Sequence, residues 1–228
     1  MHPASYSYSF LVVHTVSGGE PTGTSFIEAA RRTQIVDATI AVVAENGYTA
    51  ASFARIAKRA SISPGLITYH FAKKEALMRA VLETVESRLD AAMAEQPDSG
   101  EAESYPAALE GMLIRFVRYC AHDGDQVTAI TEIRRQMHVA EIGEAVAASH
   151  RAGTEDMVGF IEEGQSHGQF RDIDAALYAS VVMSGMSEVP ALLGGRDADD
   201  IEVFAQQWSS LYVHAIAATD TNSGEGRK

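Results

Sequence analysis

Apolar residues recur along this chain every three to four positions and no stretch sustains a two-residue alternation, so the pattern predicts helices and no sheet. The first helix runs to about Asn46, with Ile35, Ala38 and Val42 on one face and Asn46-Gly47 as its stop. A second places Phe53, Ile56, Ala57 and Ala60 at i, i+3, i+4 and i+7, with Arg55, Lys58 and Arg59 pointing elsewhere and Ser52 in position to cap its start. Ser61-Ile62-Ser63 reads as a turn. Ser63 followed by Pro64 then reads as an N-cap with proline at the first helical position, opening a short third helix through about Phe71. A fourth begins near Lys73 and extends to about Gln96, with Leu77, Val81, Val85, Leu89 and Met93 repeating turn by turn. The polar run from Gln96 to Ser104 breaks the pattern and reads as an exposed loop. Beyond it, helices are predicted over about 105–122, 124–138, 141–166, 172–193 and 198–218.

The second and third helices, with the turn between them, form a helix-turn-helix. The third is too short to be stable alone, so packing must hold it, and its outward residues define its use. Gly65, Thr68, Tyr69 and His70 are small or able to hydrogen-bond, which suits close approach to base edges and phosphates. The first helix is scaffold beneath this pair. The fourth starts at the DNA side and ends in the remainder of the chain, which makes it the natural transmission element.

From Arg31 to Met78 the runs RRTQIVDAT, AENGY, ARIAKRASIS, PGLITYHF and KKEAL follow one another in an order and spacing that resemble the DNA-binding domain of the TetR family of bacterial transcriptional regulators. The resemblance covers about a fifth of the chain. It implies that Tyr69, His70 and Phe71 end the recognition helix and that Lys74, at the start of the fourth helix, contacts phosphate. Two positions depart from the family pattern: Thr68 stands where many members carry a backbone-contacting tyrosine, and Ala54 where a basic, base-reading residue is common. With Ser52, Arg55, Ser63, Pro64, Gly65, Thr68 and Lys73, these residues make up the expected DNA surface. Arg31 and Arg32, at the start of the first helix, either touch phosphate or the minor groove, or simply solvate that helix.

Charge is distributed in the same sense. The formal net charge is −13, which by itself argues against nucleic acid. Between Ile27 and Lys74, however, seven Lys and Arg oppose three Asp and Glu, whereas from Glu75 onward eleven oppose 27. A basic end carries the attraction to DNA and an acidic body discourages non-specific adhesion. Length allows a small head over 26–74 and a helical body over 75–218. Residues 1–25 read as a mobile arm and 219–228 as a disordered tail. The single cysteine, Cys120, cannot form an internal disulfide and suits a reducing cytoplasm, where it fills the role of a small buried apolar residue. No apolar run is read as a membrane span, and no Lys or Arg precedes Arg31 to provide the basic region of an export signal.

The family resemblance, weaker in the GQSHGQFRDIDAALYA segment, also implies a C-terminal regulatory domain whose last two helices form a four-helix dimer interface. The residues fit a homodimer: Ala176, Ser180 and Ser184 repeat every fourth position, while Phe204, Trp208, Leu211 and Tyr212 lie on a stripe wider than one neighbour needs. Phe116, Tyr119, Met137, His138, Met157, Phe160, Tyr178, Met183 and Met186 are candidate lining for a small-molecule effector site, although each taken singly is what any bundle core contains. His122, His138 and His150 lack tight ligand spacing, so no metal is expected, nor any cofactor. The absence of GxGxxG after a strand, of a P-loop and of HExxH argues against an enzyme. A constitutive architectural DNA-binding protein would call for a small or basic body rather than this large acidic one. Ligand-relieved repression is the preferred mechanism, with activation open.

Overall fold

The computed structural model describes residues 23–94, 104–137 and 143–218, with side chains for all of these except 23–25, 94, 137 and 143–152. The expected arm to residue 22, most of the 96–104 loop, His138 and the tail from 219 lie outside the described residues, as do the side chains of Met137 and His150.

Eight helices occur among the described residues: α1 Gly23–Asn46, α2 Phe53–Ala60, α3 Pro64–His70, α4 Lys74–Ala94, α5 Tyr105–Met137, α6 Gly143–Ser166, α7 Ala175–Leu193 and α8 Ala198–Ile216. α1 starts at Gly23, inside the stretch read as an arm. The fold is all-α, and its single β feature among the described residues is an isolated antiparallel bridge between Phe170 and Ala217. The caps account for the helix starts: Ser52, Ser63, Asp174 and Asp197 each accept a backbone N–H three residues on. The span α5 consists of two helices that meet at a kink at Asp123, whose φ of −125° and ψ of 28° leave the helical region, where the sequence pattern divides 105–122 from 124–138.

A single buried cluster runs from Ile35 on α1 to Ile216 on α8 and includes Leu77, Val81, Val85 and Leu89 of α4. The head and body read from the sequence therefore share one continuous core. α5 is central, packing against α1, α4, α7 and α8, while α7 also packs on α6. α4 is fastened sideways as well: Arg88 donates to Asp37 of α1 at 2.7 Å and to Gln126 of α5 at 3.3 Å.

Two close approaches depend on glycine. A Cβ at Gly164 would lie 2.2 Å from the ring of Phe170, and one at Gly185 would lie 1.8 Å from the hydroxyl of Tyr212. Phe170 closes an aromatic cluster with Tyr105 and Phe160. By length and composition α7 is long and apolar enough to cross a membrane, which corrects the sequence reading; Ser180, Ser184, Ser187 and Glu188 interrupt the run and conceal it. Here α7 buries Tyr178, Ala179, Val182 and Val189 in the body.

Candidate functional site

The helix-turn-helix is assembled by its caps. Ser52 accepts from the Arg55 N–H and Ser63 from the Leu66 N–H, both at 3.3 Å, and Pro64 occupies the first turn of α3. Between the helices Ser61 takes a left-handed conformation, φ 56°, which turns the chain sharply enough for Ile62 N–H to reach Ala57 O at 3.0 Å. Ile67 and Phe71 are buried and lock α3 onto the head. Its other side is open: Pro64, Gly65 and Thr68 are exposed, and Tyr69 is 71 % exposed. The Thr68 hydroxyl folds back onto the Gly65 carbonyl at 2.9 Å.

The cations around this surface divide into two groups. Arg32 donates from Nη1 to the His70 carbonyl at 2.9 Å while its guanidinium lies 4.3 Å from the centre of the Phe71 ring, so it braces the C-terminal end of α3. Lys74 donates to the Tyr48 carbonyl at 2.6 Å and sits 4.2 Å from the centre of the Tyr48 ring; burial holds its pKa below the usual lysine range, partly offset by Glu75. Arg55 reaches Asn46 and Arg31 reaches Gln34, whereas Lys73 stands exposed. The Tyr69 hydroxyl points back to Glu28 at 3.4 Å. The sequence reading missed Tyr48, which carries no DNA-facing signal of its own and matters because Lys74 rests on it.

A second feature lies in the body, a cavity of about 860 Å³ between α4, α5, α6 and α7. Of the residues expected to line it, Phe116, Met183 and Met186 do so. Tyr119, Met157, Phe160 and Tyr178 lie away from it: Met157 and Phe160 are core, and the Tyr178 hydroxyl donates to the Tyr212 carbonyl at 2.7 Å, burial having pushed its pKa up. Ala176, Ser180 and Ser184, expected at a dimer interface, are exposed in the single chain and border the cavity. Trp208 is buried, with Tyr212 edge-on to it at 4.8 Å and the Tyr212 hydroxyl on Gly185, so both serve the chain's own packing; Phe204 is half-buried beneath the Arg196 guanidinium. Leu211 is 71 % exposed, and Leu177, Val181, Leu192 and Val203 join it as apolar side chains left outward on α7 and α8. Arg134, Glu155 and Glu162 of the cavity wall were missed, because an isolated charge on a mostly apolar helix reads as solvated surface.

Cys120 is buried and its thiol is pushed up to about 12 by desolvation. Among the described residues no group of three or more His, Cys, Asp or Glu is arranged to hold a metal.

An exposed, capped short helix held on a buried support makes a helix-turn-helix on an all-helical body, and comparison with known proteins shows what it is similar to. Residues 35–81 match the family described as bacterial regulatory proteins, tetR family. The HTH-type transcriptional regulator BetI of Escherichia coli is 36 % identical over 63 residues, which are 28 % of this chain and 32 % of BetI, so the chain spans about a third of the length of the curated relatives it matches. A tetR-family regulatory protein from Rhodococcus RHA1 is 26 % identical and superposes with a TM-score of 0.68 over 83 % of this chain and 98 % of its own. AibR, solved with isovaleryl coenzyme A and operator DNA, shares the fold at 13 % identity, with a TM-score of 0.66 over 79 % of this chain and 97 % of its own. Residues 35–81 thus match the DNA-binding segment of tetR-family regulatory proteins, and the chain as a whole shares the fold of solved tetR-family regulators.

Proposed function

We propose that this protein is a ligand-responsive repressor: a homodimer binds a pseudo-palindromic operator through two copies of the head, 26–74, and a small molecule in the cavity of the body, 75–218, releases it. The observation that carries the reading is the outward side of α3, where Gly65, Thr68 and Tyr69 stand exposed on a helix held from behind by Ile67 and Phe71. One such helix reads only a few base pairs, so specificity calls for a second copy at a fixed spacing. The outward Leu177, Val181 and Leu211 on α7 and α8 supply a surface for that pairing. The cavity favours ligand control over a constitutive role, because a purely architectural body has no use for a void of this size.

Within the head, Lys74 takes the phosphate-contacting role. One of its three N–H donors is committed to Tyr48, which fixes the ammonium and leaves two for a phosphate oxygen. Arg32 supports α3 from behind, and Arg31 and Lys73 add charge around it. Lys74→Ala should weaken binding to every duplex by about tenfold and reduce the slope of log affinity against log salt by about one, whereas Thr68→Ala should change which bases are preferred. Both follow from titrating operator and random duplexes across a salt series. An unchanged slope for Lys74→Ala would remove its phosphate contact from the account.

A further inference from the structure

Among the described lining residues, one charged side chain stands well inside the cavity wall. Phe116, Val127, Ile130, Val158 and Met183 make that wall largely apolar, and its two carboxylates, Glu155 and Glu162, are exposed on the solvent side. Arg134 of α5 differs from them, with a side chain only 18 % exposed. Its Nη2 donates to Glu86 Oε1 on α4 at 2.9 Å, while its Nε is buried with no hydrogen-bond partner among the described residues. A guanidinium carries five N–H donors and does not shed its proton, so a donor shut away from both water and protein acceptors is a standing cost. An oxygen acceptor set against it removes part of that cost. Glu86 has a further interaction besides this pair, so the guanidinium can turn toward the cavity without stranding the carboxylate.

Which oxygen suits this donor follows from the surrounding charge. The positive charge of Arg134 is matched by Glu86, so the wall offers unused N–H donors more than it offers an unmatched cation. Glu155 and Glu162 border the way in, and Asp90, next to the lining residue Leu89 on α4, adds a carboxyl pushed up to about 6 by burial and then by Glu86 and Asp156. An anion would shed its hydration and pass these acids to reach a guanidinium already paired. A neutral carbonyl sheds far less water and accepts the same hydrogen bond. Thr131, three residues before Arg134 on the same wall, carries a hydroxyl that can donate to the second lone pair of such an oxygen.

We propose that the cavity takes an apolar molecule bearing a neutral carbonyl oxygen, a ketone, ester or amide, and that Arg134 is the residue that recognises this oxygen. This rests on reading the cavity as the effector site. The same contact reaches α4 through Glu86, which places the ligand oxygen one side chain away from the helix that begins at Lys74.

The test uses full-length protein and three probes of similar length, methyl octanoate, octanoate and octylammonium, titrated calorimetrically and then assayed for release of operator DNA. Methyl octanoate should bind about fivefold more tightly than either charged probe. Arg134→Met combined with Glu86→Gln removes the donor and its partner together and leaves the net charge of the wall unchanged. Methyl octanoate should then lose about tenfold in affinity while octylammonium stays within about twofold. The carbonyl stretch of isotope-labelled ester reads the contact in the parent protein without any variant, and on binding it should fall below its value in water. Ester affinity unchanged in the folded double variant, or a bound stretch at or above the value in water, overturns the Arg134 contact. Octanoate binding as tightly as the ester overturns the preference for a neutral carbonyl. Ester binding that leaves operator in place overturns the cavity as the effector site and not the contact with Arg134. No binding by any probe to protein that still holds operator overturns both.

Discussion

Gly164 carries no side chain, and the fold around it depends on that. Its position on α6 lets the Phe170 ring lie against the helix backbone, beside Tyr105 and Phe160, while the Phe170 backbone bridges to Ala217 at the end of α8. Gly164→Ala would drive a methyl into a buried ring and should cost about 1–3 kcal/mol, read as a lower denaturation midpoint at fixed protein concentration. Asp90 presents the opposite case, a residue the fold tolerates at a loss. Its raised pKa means that the folded protein destabilises the ionised form, a penalty absent below the unfolded value of 3.8 and complete above about 6. Asp90→Asn should therefore stabilise the protein at pH 7 by about 1 kcal/mol, solvent screening having reduced the full value, with the gain fading to nothing near pH 4. A gain that is constant from pH 4 to 8 would place the effect in packing rather than charge.

At the scale of elements, starts and stops were the legible part. Ser52, Ser63 with Pro64, and Asn46-Gly47 mark the helices of the head by local chemistry, and His122-Asp123-Gly124-Asp125 marks the bend in α5. Local signals of this kind survive folding because their hydrogen-bond partners lie within a few residues. Which helix covers which face was not legible, since periodicity shows that a face is apolar without naming its neighbour. Phe160 and Tyr178 thus went to the core rather than the cavity, while Ser180 and Ser184 border the cavity in the single chain. The outward residues left over are the ones to test for pairing. Val181→Glu with Leu211→Glu changes side chains that are 52 % and 71 % exposed, so the fold should survive. Light scattering should then show a dimer for the parent and a monomer for the variant, and operator affinity should fall by more than a hundredfold, because a single head loses the benefit of its tethered twin. A variant that remains dimeric would move the interface elsewhere.

The whole molecule sets a basic head against an acidic body, joined by α4. That helix touches every part of the proposed mechanism: Lys74 at its start faces the DNA side, Arg88 ties it to α1 and α5, and Glu86 holds Arg134 in the cavity wall. A molecule that fits the cavity better in one placement of α4 must shift the spacing of two heads, and linkage requires operator to weaken its binding by the same factor. All of this presupposes sequence-specific duplex binding by a two-fold dimer. The most direct test is to select bound fragments from the source genome with purified full-length protein and footprint the strongest. The account predicts protection of a pseudo-palindrome whose half-sites lie one or more helical turns apart, abolished by Lys74→Ala combined with Thr68→Ala. Protection of a single asymmetric half-site, or no enrichment of any sequence over random fragments, would contradict it.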